Sequence, residues 1–128
     1  MDVKILLVIT LMIIALFSGC TSNDNDTIFV KIGDAIPQDT CSFKGLDGMV
    51  IVLHQTGCPA CSRVLPLLEE LESELDMEFE YYNLAVDDDF NELKEKYDLL
   101  PTHTPTVIIG CVAYGSMEKE GYRKLLGG

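Results

Sequence analysis

The sequence predicts an α/β domain: a central mixed sheet of four to five strands with helices on both faces. Three observations carry this. The run Met49-Val50-Ile51-Val52-Leu53 is short and continuously apolar, which marks a strand buried on both sides. Downstream of it, segments with apolar residues at helical spacing alternate with β runs. Near the C-terminal end, Gly110-Cys111 separates two short β runs and predicts a tight hairpin.

Taken in order, Ile28 to Ile32 alternates as a short strand. Gly33 to Gly48 holds Pro37, three glycines and several aspartates, and reads mostly as loop, with a hairpin or helical turn. Met49 to Gln55 is the central strand. From Cys58 onward, Val64, Leu67, Leu68, Leu71 and Leu75 recur at helical spacing with glutamates between them, so a long amphipathic helix follows. Phe79 to Leu84, rich in aromatics, is the second central strand. Phe90, Leu93 and Tyr97 line one face of the next helix, with an aspartate of Asp87-Asp88-Asp89 capping its start. Thr106 to Ile109 and Val112 to Tyr114 form the hairpin. Ser116 to Leu126 closes as a helix, with Glu118 and Glu120 early and Arg123 and Lys124 late, as the helix dipole prefers. A right-handed crossover makes the first two central strands parallel, and the hairpin supplies an antiparallel edge.

The 128-residue chain opens on a targeting segment. Ile5 to Phe17 is apolar except for Thr10, too short to span a bilayer comfortably but of the length of a signal-peptide core. Phe17-Ser18-Gly19-Cys20 resembles the lipobox at which prokaryotic lipoproteins are cut and lipidated on cysteine. The resemblance implies a signal peptide over 1–19, lipid on Cys20, and a location outside the cytoplasm on the cell membrane. Residues 20–27, ending Thr21-Ser22-Asn23-Asp24-Asn25-Asp26-Thr27, read as a polar tether. An ordinary secretory signal and an uncleaved anchor are the alternatives. Residues 28–128 then form one small domain. A formal net charge of −12 argues against nucleic acid as a partner and against adhesion to anionic lipid through charge.

Cys58-Pro59-Ala60-Cys61 stands where the central strand hands over to the first long helix. The attacking species in thiol–disulfide exchange is the thiolate, and a helix N-terminus favours it through unpaired N–H groups and the helix dipole. Pro59 suits the first helical turn, where a missing N–H costs nothing. Cys58 is the expected nucleophile and Cys61 the resolving thiol. The competing reading is a soft-metal site for copper or zinc on the same cysteines. A zinc site needs further ligands at matching spacing, and Cys41, His54, His103 and Cys111 are scattered; no methionine neighbours Cys58, as copper handlers favour. The expectation is therefore no metal and no cofactor. With Cys20 and the Cys58/Cys61 pair set aside, Cys41 and Cys111 remain, an even pair in a compartment that permits disulfides.

The element order, with Cys-x-x-Cys at the first strand-to-helix junction, resembles the thioredoxin superfamily over roughly Ile28 to Leu126. Pro66, five residues after Cys61, stands where thioredoxins place a helix-kinking proline, and Thr104-Pro105-Thr106 resembles their cis-proline loop. The resemblance implies a thiol–disulfide oxidoreductase acting on exported protein thiols and disulfides, with a membrane redox partner compatible with the tether, and a monomer. It implies that Thr104 and Pro105 offer a backbone edge to the substrate. Pro59 and His103 are the candidate tuning residues, while His54 is expected to be a hydrogen-bonded interior residue without a catalytic role. The fold also places the hairpin at the sheet end where Met49 enters, so a structural Cys41–Cys111 bridge is geometrically reasonable; two unpaired thiols are the alternative. Departures are Gly57 where thioredoxins carry tryptophan, and Val52 where they carry a buried aspartate. Lys31 to Pro37 and Gly45 to Gly48 resemble the opening segment of membrane-tethered thioredoxins.

Overall fold

The computed structural model describes residues 27–127. The expected signal peptide, Cys20 and the expected tether up to Asp26 lie outside the described residues, as does Gly128. The elements in order are β1 (Ile28–Val30), α1 (Gln38–Phe43), β2 (Val50–His54), α2 (Pro59–Glu74), β3 (Glu80–Asn83), α3 (Asp87–Tyr97), β4 (Leu99–Pro101), β5 (Thr106–Ile109), β6 (Val112–Tyr114) and α4 (Lys119–Leu125).

The main sheet has the order β3-β2-β5-β6. β2 runs parallel to β3, pairing Val52 with Tyr81, and antiparallel to β5, pairing Val52 with Val107. β5 and β6 form the hairpin, whose turn residues Gly110 and Cys111 both have positive φ (57° and 67°), as a two-residue connection between twisted strands requires. Alternation along β2 sorts the core into two layers. Val50 and Val52 pack with Val64, Leu68 and Leu71 of α2 and Tyr122 of α4. Ile51 and Leu53 pack with Cys41 of α1, and with Leu93 and Tyr97 of α3. Helices thus cover both faces, and the expected α/β architecture, a mixed four-stranded sheet between helices, is the one observed.

Several details differ from the expectation. β1 is not a fifth strand of the main sheet: it pairs in parallel with β4, Ile28 opposite Leu99, as a separate two-stranded sheet. β4 itself was unforeseen. Asp98 adopts a left-handed conformation (φ 48°) at the C-cap of α3 and lets the chain turn straight into it. Of the hairpin or helical turn expected after Gly33, the helical one is found: the short helix α1, whose one buried residue is Cys41. Upstream of α1, the Gly33 N–H bonds to Ala113 O, Ala113 N–H to Asp34 O and Ile36 N–H to Cys111 O, so this segment covers the outer edge of β6. The aspartates of α3 lie within its first turn, and Val86 is the N-cap without a side-chain bond. They suit the dipole there. α4 starts at Lys119, later than the sequence pattern suggests.

Candidate functional site

The site is assembled at the end of β2. There the Cys58 N–H bonds to the Gln55 carbonyl at 3.2 Å while Gly57 holds φ at 84°. A tight turn with positive φ at its third residue favours glycine, so Gly57 is fixed by backbone geometry. The turn delivers Cys58 to the N-cap of α2 in extended conformation. Its Sγ accepts the Cys61 N–H at 3.2 Å, one of the first-turn donors that has no partner inside the helix. Pro59 occupies the first helical turn, where it leaves no donor unpaired. The sulfur therefore rests where the helix favours negative charge.

One turn further along α2, Cys61 lies against Cys58. Their Cα atoms are 5.2 Å apart and the sulfurs are paired as a disulfide, so the couple is disulfide-capable. Exposure separates the two: Cys58 is half-buried, whereas Cys61 is 2% exposed. Pro66 lies inside α2 on its exposed side, and Val64, Leu68 and Leu71 anchor the helix to the sheet. Val52 is fully buried in that same layer, which is hydrocarbon where thioredoxins carry a carboxyl group.

The loop before β5 faces this pair. Its Thr104–Pro105 peptide bond is cis, and the Thr104 carbonyl oxygen lies 3.6 Å from Cys58 Sγ. Pro105 is buried and Thr104 half-buried. Hydrogen bonds hold both ends of the loop: Thr102 N–H to the Val30 carbonyl at 3.0 Å, and the buried Thr106 hydroxyl to the His103 carbonyl at 2.6 Å.

The histidines stand apart. The exposed His103 ring has Nδ1 3.0 Å from Thr102 Oγ1 and makes no hydrogen bond to Cys58 or Cys61. His54 is half-buried, and among the described residues its ring has no hydrogen-bond partner, contrary to expectation. Burial lowers its pKa, opposed by the attraction of Asp89. His54 stands at the β2 terminus, where the ring is half-buried and not interior.

Cys41 and Cys111 form the second sulfur pair at the opposite end of β5, with Cα atoms 6.1 Å apart and exposures of 0% and 5%. Asp47 Oδ1 lies 3.4 Å from Cys111 Sγ. Hydrogen bonds from Ser42 and then Gln38 hold the Asp47 carboxyl below the usual carboxylate range, against a small opposing effect of burial. Cys41, Asp47 and Cys111 converge closely enough to surround an ion, but both sulfurs are committed to their bridge. Cys58 and Cys61 have no third such donor among the described residues. Sequence reasoning passed over Asn83, whose side chain bonds Thr56 beside the Cys58 turn. The asparagine at a strand end signals a turn, but its partner lies 27 residues away and is invisible to local pattern.

No protein-family model and no curated protein matches the chain. Among solved structures, it is similar to the thioredoxin-like protein BC3987, at 25% identity and a TM-score of 0.38, over 59% of this chain and 97% of that one. A single-residue mutant of that protein gives 26% identity and a TM-score of 0.41, over 62% and 96%.

Proposed function

We propose that this chain is a thiol–disulfide oxidoreductase that exchanges disulfides with exported proteins while anchored outside the cytoplasm through lipid on Cys20. The observation that carries the reading is the asymmetry of one cysteine couple at a helix start. Cys58 is reachable and takes an N–H from the helix, while Cys61 is close enough to bond it and shielded from everything else.

In the reducing direction, the Cys58 thiolate attacks one sulfur of a substrate disulfide. A bond forms between Cys58 and the substrate, and the other substrate sulfur leaves as a thiolate. Cys61 then loses its proton and attacks Cys58 Sγ, which releases the second substrate thiol and leaves the Cys58–Cys61 disulfide. Two electrons pass to the substrate, and a partner dithiol, itself oxidised to a disulfide, must restore the couple. The oxidising direction is the same sequence reversed. The proton of Cys61 must leave to water or to the departing substrate thiolate, since Val52 offers it no base. The Thr104 carbonyl and its loop form the wall opposite Cys58, where a substrate segment would align.

The test is exchange with a model disulfide substrate. Cys58→Ser is expected to abolish turnover, whereas Cys61→Ser should accumulate a mixed disulfide between Cys58 and substrate. Turnover by Cys58→Ser would overturn the reading. The reduction potential of the couple against glutathione sets the physiological direction.

A further inference from the structure

Asn83 closes β3, in register with His54 at the end of β2. Its amide oxygen accepts the backbone N–H of Thr56 at 3.2 Å and that of Ala85 at 3.1 Å. Its amide nitrogen donates to the Thr56 hydroxyl at 2.8 Å. Two N–H donors on one side and a hydroxyl on the other fix which way the amide faces. The asparagine is itself held, since its own N–H bonds to Asp89 of α3 at 2.9 Å and its carbonyl accepts the Val86 N–H. A rigid strand end thus grips one residue at two points.

That residue is the corner of the turn that feeds α2. Thr56 and Gly57 stand between Gln55, which accepts, and Cys58, which donates. Thr56 is exposed, and Asn83 bonds both its N–H and its hydroxyl. Gly57 has no side chain to hold the corner, so the Gln55–Cys58 hydrogen bond and the two-point grip on Thr56 are what fix it. The orientation of Cys58 at the N-cap, and with it the 3.2 Å contact between Sγ and the Cys61 N–H, is set by this corner.

We infer that Asn83 is a positioning residue for Cys58, clamping Thr56 so that the sulfur meets the first turn of α2. The inference builds on the exchange reading of Cys58. Its readout is the thiolate in the reduced protein, which does not depend on whether any partner protein is a substrate.

The experiment follows the alkylation rate of Cys58 against pH in the reduced protein, with Cys41 and Cys111 left bridged. Asn83→Ala is expected to move the profile upward by roughly one pH unit, about tenfold in rate below the pKa, with the alkaline plateau unchanged. Thr56→Val, which removes only the hydroxyl contact, should move it part of the way, and Thr56→Ser should restore the original profile. Thr56 is exposed, so these two variants keep the test decisive even if Asn83→Ala folds poorly. Profiles of Asn83→Ala and Thr56→Val that superimpose on the parent, whatever happens to melting temperature, would show Asn83 to be merely structural and overturn the inference. Failure of Cys58→Ser to lose turnover would instead remove the exchange reading and leave the alkylation result standing.

Discussion

Cys58 Sγ lies 3.6 Å from the carbonyl oxygen of Thr104, a residue 46 positions further along the chain. The same sulfur meets the Cys61 N–H at 3.2 Å. Two backbone dipoles of opposite sense therefore converge on one atom. The N–H stabilises a thiolate, while the carbonyl stabilises the protonated thiol, which can donate to it. Among the described residues, no lysine or carboxylate is hydrogen-bonded to this sulfur.

Reactivity should follow from this placement and from access. In the fully reduced couple, a small alkylating agent near neutral pH is expected to modify Cys58 at least about tenfold faster than Cys61, because Cys61 is 2% exposed under the helix. Peptide mass mapping after short exposure checks the order of modification. Equal labelling of the two sulfurs would contradict the assigned roles.

The Cys41–Cys111 bridge spans a sequence separation of 70. Replacing both cysteines with serine is expected to lower unfolding free energy by about 4 kcal/mol, chiefly by freeing the unfolded chain. Urea unfolding at neutral pH, in a background where Cys58 and Cys61 are both serine, measures this without interference from the first pair. A loss below about 1 kcal/mol would show that the reduced denatured state is already restrained.

Glu80 supplies a pH signature. Burial pushes its carboxyl up, yet hydrogen bonds from Lys96, Tyr97 and Tyr82 together outweigh that and hold it below the usual range. A depressed carboxyl contributes stability that is fully present above the unfolded value, about 4.3, and is lost as pH falls through the folded value. Glu80→Gln should therefore lower the melting temperature at neutral pH by several degrees, and the gap to the parent should shrink below about pH 4. Thermal melts at the two pH values decide it; a gap of constant size would mean that the loss is packing and not charge.

Much of this arrangement was legible in the sequence because the relevant signals are local. β2 announced itself through five successive apolar residues, α2 through Val64, Leu68 and Leu71, and the hairpin through Gly110-Cys111. The position of Cys58 at a helix start followed from those two elements and Pro59. What escaped was non-local or too short to be periodic. β4 has three residues, one of them Pro101, and exists through pairing with β1 across 71 residues of chain. α1 has six residues and buries only Cys41, so the sequence could offer no more than a hairpin or a helical turn there. The clamp from Asn83 to Thr56 likewise needs β2 and β3 side by side before it has meaning. For His54, a place in a central strand implies an interior, hydrogen-bonded ring, but the strand ends there and the ring is only half-buried.

The two sulfur pairs are kept apart by the length of β5, about 13 Å of extended backbone between the cis-proline loop and the hairpin turn. The hairpin pair is sealed from solvent, with the Asp47 carboxylate against Cys111. The exchange proposed for Cys58 and Cys61 would thus leave the rivet at the base shut, so that wear on one end is uncoupled from the integrity of the frame.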